Sequence, residues 1–228
     1  AEGDELIAAC ALRGLITDHV YRSDDLPTDR YMAVEGSNGL IAAIADAHSL
    51  EAAGDKILRP LEDGSLPSPY EGAVALDGNL TVELLARMAQ SPLLAKADLR
   101  VAPASPGKAL RLTPFLKAGR GTLYVNLEEA GLLCQSSFDD SPTAARALLA
   151  RGARRAVVTD GGNPATVGQG DEIITLTPPQ VHVARVTGAG DTFMAAHVAA
   201  ELGGAVAQTA LKAALDAAAL YVSGETKI

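Results

Sequence analysis

From Gly72 to Asp160 the chain alternates short apolar runs with capped helical stretches, and that alternation leaves few folds open to it. Ala73–Leu76, Leu99–Ala104, Thr122–Val125 and Arg155–Thr159 read as strands. Between them lie Thr81–Gln90, stopped by Pro92, and a stretch to Lys117 in which Ser105-Pro106 supplies cap and first turn. Leu127–Leu133 follows, then a helix opened by Ser141-Pro142 and closed at Gly152. Ser before Pro satisfies a free amide and presets the first helical φ. Strands joined through helices run parallel and are covered on both faces. The expected architecture is α/β: a three-layer α/β/α sandwich on a mainly parallel sheet.

Either side of this unit the pattern changes. After Gly161 come short runs at Ala165–Val167, Glu172–Leu176 and Val181–Val186, read as strands, then an apolar helix from near Asp191 and an Ala-rich one over about Val206–Val222. Upstream, Glu5–Leu12 reads as a helix closed by Gly14. Arg30–Glu35 and Leu40–Ala45 flank Gly36-Ser37-Asn38-Gly39, whose Asn-Gly is a hairpin signal. The hairpin mixes polar and apolar residues and suits a small β lid over about residues 28–46; a minor strand at His19–Arg22 would join it. With no repeat or linker, residues 1–228 read as a single domain.

Composition narrows the function. The chain has 228 residues, 48% of them hydrophobic, and aromatics make up only 4%, so one core of Ala, Val, Leu and Ile is expected. A net charge of −9 disfavours a nucleic-acid polymer as partner. No apolar run is long enough to span a membrane and no secretory pattern opens the chain, so it reads as cytoplasmic. Cys10 and Cys134 form no Cys-x-x-Cys pair and read as reduced, buried thiols. The four histidines lack metal-ligand spacing, and His197 reads as a packed helix residue.

Three segments carry chemistry. In Val186–Ala196, Gly188, Ala189 and Gly190 let backbone amides approach a ligand closely, and the helix start that follows favours phosphate. Asp191 would repel that phosphate unless it takes a proton from an attacking hydroxyl. Asn126-Leu127-Glu128-Glu129 sits at a strand-to-helix junction, where amide and carboxylate either order water and Mg²⁺ or form a capping box. Thr159-Asp160-Gly161-Gly162 ends a strand in a glycine pair, which by itself reads as a plain turn.

In this order the three segments resemble the ribokinase-like (PfkB) carbohydrate and nucleoside kinases. The resemblance implies a ribokinase-like fold and an alcohol-group phosphotransferase using ATP and Mg²⁺. Asp191 would be the base and the Gly188, Ala189 and Gly190 amides the anion site. Asn126 and Glu129 would hold Mg²⁺ through water, and Thr159, Gly161, Thr187 and Asp216 would bind the nucleotide. The stretch from Pro27-Thr28 through Tyr31 to Asp46 resembles the lid of pseudouridine kinases, which makes Thr28, Tyr31 and Asp46 substrate candidates and pseudouridine the leading substrate. Val101–Lys108 is similar to their Pro-Val-Ser-x-x-Lys stretch. A small sugar or nucleoside is the implied partner, with a homodimer through the lid.

The chain departs from the family at several positions. It has Val125 where Pro is usual, Arg185 where an acid or amide helps form a monovalent-cation loop, and Asp216 in place of an Asn near the adenine. The family's opening strand with its substrate-binding Asp is missing, so an N-terminal part is expected to precede these residues. Another sugar specificity, or a non-catalytic nucleotide- or sugar-binding protein on the same fold, are the alternatives; Asp191 weighs against the binder. A dinucleotide oxidoreductase would need Gly-x-Gly-x-x-Gly after an early strand, which is absent.

Overall fold

The computed structural model describes residues 2–36 and 39–225. Its centre is a six-stranded sheet of β3 (Ala73–Asp77), β4 (Asp98–Ala102), β5 (Thr122–Asn126), β6 (Arg155–Asp160), β7 (Asn163–Gln169) and β8 (Glu172–Leu176), in that order. β3 to β6 are parallel, while β7 and β8 pair antiparallel. Two further strands, β1 (Arg30–Gly36) and β2 (Gly39–Asp46), form a separate antiparallel sheet. This is the expected ribokinase-like sandwich with a small β hairpin. The Ser37-Asn38 part of the turn lies outside the described residues.

Alternation along each strand divides the interior between two cores. Leu99, Val101, Leu123, Val125, Ala156 and Val158 face one side, under α4 (Val82–Gln90), α5 (Thr113–Ala118), α6 (Leu127–Cys134) and α7 (Ser141–Ala150). Tyr124, Val157, Ala165 and Val167 face the other, under α8 (Ala189–Leu202) and α9 (Ala207–Val222), which contribute Phe193, Leu211, Ala214 and Leu215. Near the start of the chain α1 (Glu2–Leu12) has no buried residue. Beyond the hairpin, α2 (His48–Ala53) and α3 (Arg59–Glu62) follow, and Leu50, Ile57 and Leu61 rest on the first core.

Four readings of the sequence need correction. The stretch from Ser105 to Lys117 is not one helix: 3-10 turns over Pro106–Leu112 precede α5. Pro114 cannot donate to Leu110, whose carbonyl instead accepts from Thr113 Oγ1 at 2.7 Å. Ser141 does not cap α7; Asp140 does, accepting from the Thr143 amide at 2.7 Å. Ser141 Oγ instead bonds the Pro164 carbonyl at 2.6 Å and meets Thr166 Oγ1 at 2.8 Å, pinning α7 to β7. Val181–Val186 forms no strand, because the amides of Ala184 and Arg185 both go to the Val222 carbonyl, at 2.8 and 3.2 Å. His19–Arg22 is likewise irregular.

The cysteines are free but only half-buried, and burial pushes the Cys134 thiol above its usual range. No helix among the described residues is long and apolar enough to cross a membrane.

Phe115 on α5 is fully buried in the first core. Phe115→Ala is expected to cost about 3–5 kcal/mol in urea unfolding. A loss below about 0.5 kcal/mol, the size of an ordinary surface change, would remove α5 from the core.

Candidate active site

The carboxyl ends of β5 and β6 and the start of α8 gather most of the residues singled out in the sequence. Gly188 caps α8 at φ +90°, a left-handed geometry that an L side chain rarely adopts. A Cβ there would also lie 2.6 Å from Tyr221 Oη, which donates to the Thr187 carbonyl at 2.7 Å. Both constraints require glycine. Gly190 differs: a Cβ would meet open space, so the room beside it is available to a ligand. Thr192 closes the turn on the Gly188 carbonyl through its amide at 2.9 Å and Oγ1 at 2.8 Å. The Gly190 and Asp191 amides, in the first turn, have no carbonyl one turn back within the helix to bond. Asp191 is exposed in that same turn.

Asn126 and Thr159 are register partners at the ends of adjacent parallel strands, where ligands of open α/β sheets bind. The capping box foreseen as one reading of Asn126 is present. Asn126 Oδ1 accepts from the Glu129 amide, and Glu129 Oε2 accepts from the Asn126 amide, both at 2.8 Å. Burial pushes the Glu129 carboxyl above its usual range. Gly161, at φ +53°, lets the chain reverse after β6 with no neighbour crowding it.

The remaining candidates are dispersed. Asp216 is exposed on α9 and pairs with Lys212 at 2.6 Å. In the hairpin, Arg30 faces Asp46 and Tyr31 faces Ala45; Tyr31 is exposed, and Asp46 binds His48 Nδ1 at 2.6 Å. Thr28 lines a cavity of about 900 Å³ between α1, residues 20–29 and α2, which Tyr31 and Asp46 do not reach. Arg185 is fixed by its Nε bond to the Tyr221 carbonyl at 2.8 Å and by the Tyr221 ring 4.0 Å from its guanidinium. Among the described residues no group of three or more His, Cys, Asp and Glu could hold a metal.

Sequence reading missed two polar clusters. At the carboxyl ends of β3 and β4, Lys108 Nζ donates to Asn79 Oδ1, and Asn79 Nδ2 donates to Asp77 at 2.7 Å. The signals were the Asp77-Gly78-Asn79 turn and the Pro-Val-Ser-x-x-Lys-like stretch that ends at Lys108, but nothing in the sequence brought the two together. The second cluster lies under α8. Arg100, in β4, donates to Tyr124 Oη at 2.9 Å, to Glu201 at 2.5 Å and to Asp98 at 2.5 Å. Arg155 also grips Glu201, with Nη1 at 2.9 Å. His197, fully buried as its packed reading implied, meets Tyr124 Oη through Nδ1 at 2.8 Å and stacks on Phe193. Burial lowers the His197 imidazole to about 4 and raises the Tyr124 phenol to about 12. Burial opposes the charge of Glu201 too, but bonds from Arg155 and Arg100 hold it at about 2.

Comparison with known proteins accounts for this layout. The profile of the pfkB family carbohydrate kinases matches residues 1–226. The chain belongs to that family. Solved structures share its fold. A carbohydrate kinase from Agrobacterium tumefaciens is 25% identical at a TM-score of 0.70, over 89% of this chain and 66% of its own. The PfkB protein from Polaromonas sp. JS666 is 18% identical at 0.75, over 98% and 76%. Adenosine kinase from Schistosoma mansoni, solved with 2-fluoroadenosine, is 18% identical at 0.74, over 97% and 70%. The chain therefore spans just under two thirds of the length of the Agrobacterium kinase. No curated protein sequence matches it.

The buried imidazole carries a pH signature. His197 is held neutral when folded, whereas an unfolded His binds a proton near pH 6.5. The unfolded state then holds more protons, so stability is full above about 6.5 and declines as pH falls towards 4. Glu201 acts lower, its contribution fading only as pH drops from 4.5 through about 2. His197→Leu is expected to flatten the decline between pH 6.5 and 4 in urea midpoints. An unchanged slope would move its origin elsewhere.

Proposed function

We propose that this PfkB-family chain transfers the γ-phosphate of ATP to a primary hydroxyl of a nucleoside or sugar, with pseudouridine, converted to its 5′-phosphate, as the leading substrate. One observation carries the kinase reading: a glycine-bounded turn, in which the Gly190 and Asp191 amides have no partner within the helix, shares the start of α8 with an exposed carboxylate. The Gly188, Ala189 and Gly190 backbone stabilises charge on the transferring group, while Asp191 accepts the proton of the attacking hydroxyl. Thr159, Gly161, Thr187 and Asp216 are assigned to the nucleotide. A non-catalytic binder would gain nothing from a carboxylate beside a phosphate site.

The donor set at β5 fits a hard cation held through water. Glu129 keeps a second carboxylate oxygen outside the capping box, and a nearby dication offsets the burial that disfavours its charge. Bound there, Mg²⁺ would neutralise charge on the phosphates.

For the acceptor we assign Thr28, Tyr31 and Asp46. Met32, Val34 and Ile44 are exposed on one face of the hairpin and offer an apolar wall for a nucleobase or for a second copy of the lid in a homodimer, while Tyr31 stands on the other face. Arg22 and Arg30 are taken up by Asp4 and Glu2, leaving little to hold a phosphorylated sugar. An ATP-dependent reaction on such a metabolite suits the cytoplasm.

Asp191→Asn should lower kcat by about 10²–10⁴ and leave ATP affinity within a few-fold, since the amides remain. A kcat near wild type would exclude Asp191 from the mechanism. A kcat/KM for pseudouridine no higher than for ribose would leave the kinase class and remove the nucleoside. With Arg185 fixed on Tyr221 where the cation loop is expected, exchanging K⁺ for Na⁺ at constant ionic strength should change the rate little. A several-fold K⁺ dependence would show an ion bound elsewhere.

A further inference from the structure

At the opposite edge of the sheet, the amino ends of β4, β5 and β6 and the end of β7 enclose a pocket of about 410 Å³. Its charged lining is Lys96, Arg120, Arg154 and Arg155 against a single carboxylate, Asp98, with Gln169 beside them. In a chain of net charge −9 such an excess of cations is local and specific. We propose that this pocket binds a phosphate-bearing anion, separate from the site at the start of α8.

The cations differ in their commitments. Arg120 is fixed by bonds to the Ala89 and Leu94 carbonyls, at 3.0 and 2.6 Å, so its charge stays in place without a carboxylate partner. Arg154 is exposed and has no ion pair among the described residues. Lys96 is tied to Glu71 at 2.6 Å, but both side chains are well exposed, and such a pair exchanges readily for a bound anion. Arg155 spends its outer nitrogens on Glu201, while its Nε is buried without a partner. A buried donor without an acceptor calls for water or an ion near it. Guanidinium forks suit phosphate oxygens better than they suit chloride. The volume falls within the range of small-ligand sites, so it admits a phosphate ester or pyrophosphate, and an apolar ligand finds little to contact.

The test uses Gly190→Val, which blocks the proposed catalytic anion turn. Inorganic pyrophosphate, titrated by calorimetry at constant ionic strength, should still bind this variant at one site. Adding Lys96→Glu and Arg154→Glu, both on exposed positions, should weaken that binding at least tenfold with the thermal midpoint of the free protein little changed. Phosphate and a small sugar phosphate run in parallel identify whether the ester or the bare anion is preferred; either result supports the site. Chloride acting as well as pyrophosphate would overturn it, as would binding unaffected by the double charge reversal. Loss of all binding in Gly190→Val alone would also overturn it. Equal pyrophosphate stoichiometry in wild type and Gly190→Val would count only against the α8 site, so the two readings fail separately.

Discussion

A guanidinium buried between a parallel sheet and a helix sets terms that the surrounding structure must meet. Arg100 is 5% exposed, and an uncompensated charge at that depth would be strongly destabilising. Asp98 supplies one carboxylate from the same strand, but the second, Glu201, comes from the last turns of α8, and Arg155 of β6 shares it. Satisfying Arg100 therefore fixes where α8 lies and how it is rotated. Glu201 and His197 face inward one turn apart, and Phe193 continues the same stripe into the second core. With that end of α8 held over the start of β4 and β6, its first turn projects towards the strands' carboxyl ends. The ends of β5 and β6 lie on that same side of the sheet, where α/β sheets present ligands to solvent.

This arrangement explains what the sequence could and could not convey. Helix limits with local causes were readable: Thr81 caps α4, accepting from the Leu84 amide, and Gly14 follows α1 at positive φ. So was the strand–helix rhythm, because two-face burial writes apolar runs into β5 and β6, and into β4 but for Arg100. The hairpin at residues 30–46 followed from its turn residues. The Arg100 cluster was not readable, since Arg100, Tyr124, Arg155 and Glu201 meet only once the sheet and α8 are assembled. His197 was placed correctly inside its helix, yet its polar partners lie on other elements. Val181–Val186 misled because alternation alone does not supply a strand with a neighbour; here the backbone bonds the end of α9 instead.

The candidate site divides in the same way. Gly188, Gly190, Asp191, Asn126, Thr159 and Gly161 were legible because motif and local geometry coincide within a few residues. The acceptor side was not. Thr28, Tyr31 and Asp46 lie on a hairpin that forms its own sheet, and which face of it meets a substrate is a tertiary matter. The segment after the hairpin ties it to the sandwich through Glu51 with Arg111 and Asp55 with Arg87, both at 2.9 Å. These are side-chain contacts between distant positions, without a local signature.

The contact between Gly188 and Tyr221 couples two positions far apart in sequence. Tyr221 closes on the missing Cβ of Gly188, bonds the carbonyl just before it, and presents its ring to Arg185. In evolutionary terms the three residues form one unit of inheritance. A side chain can enter at position 188 only after position 221 has shrunk, and shrinking 221 first would release both Thr187 and the arginine that rests on the ring. Position 188 keeps its left-handed φ whatever stands at 221, so glycine is held there on two counts, and drift at the final turn of α9 is restrained by the loop it supports.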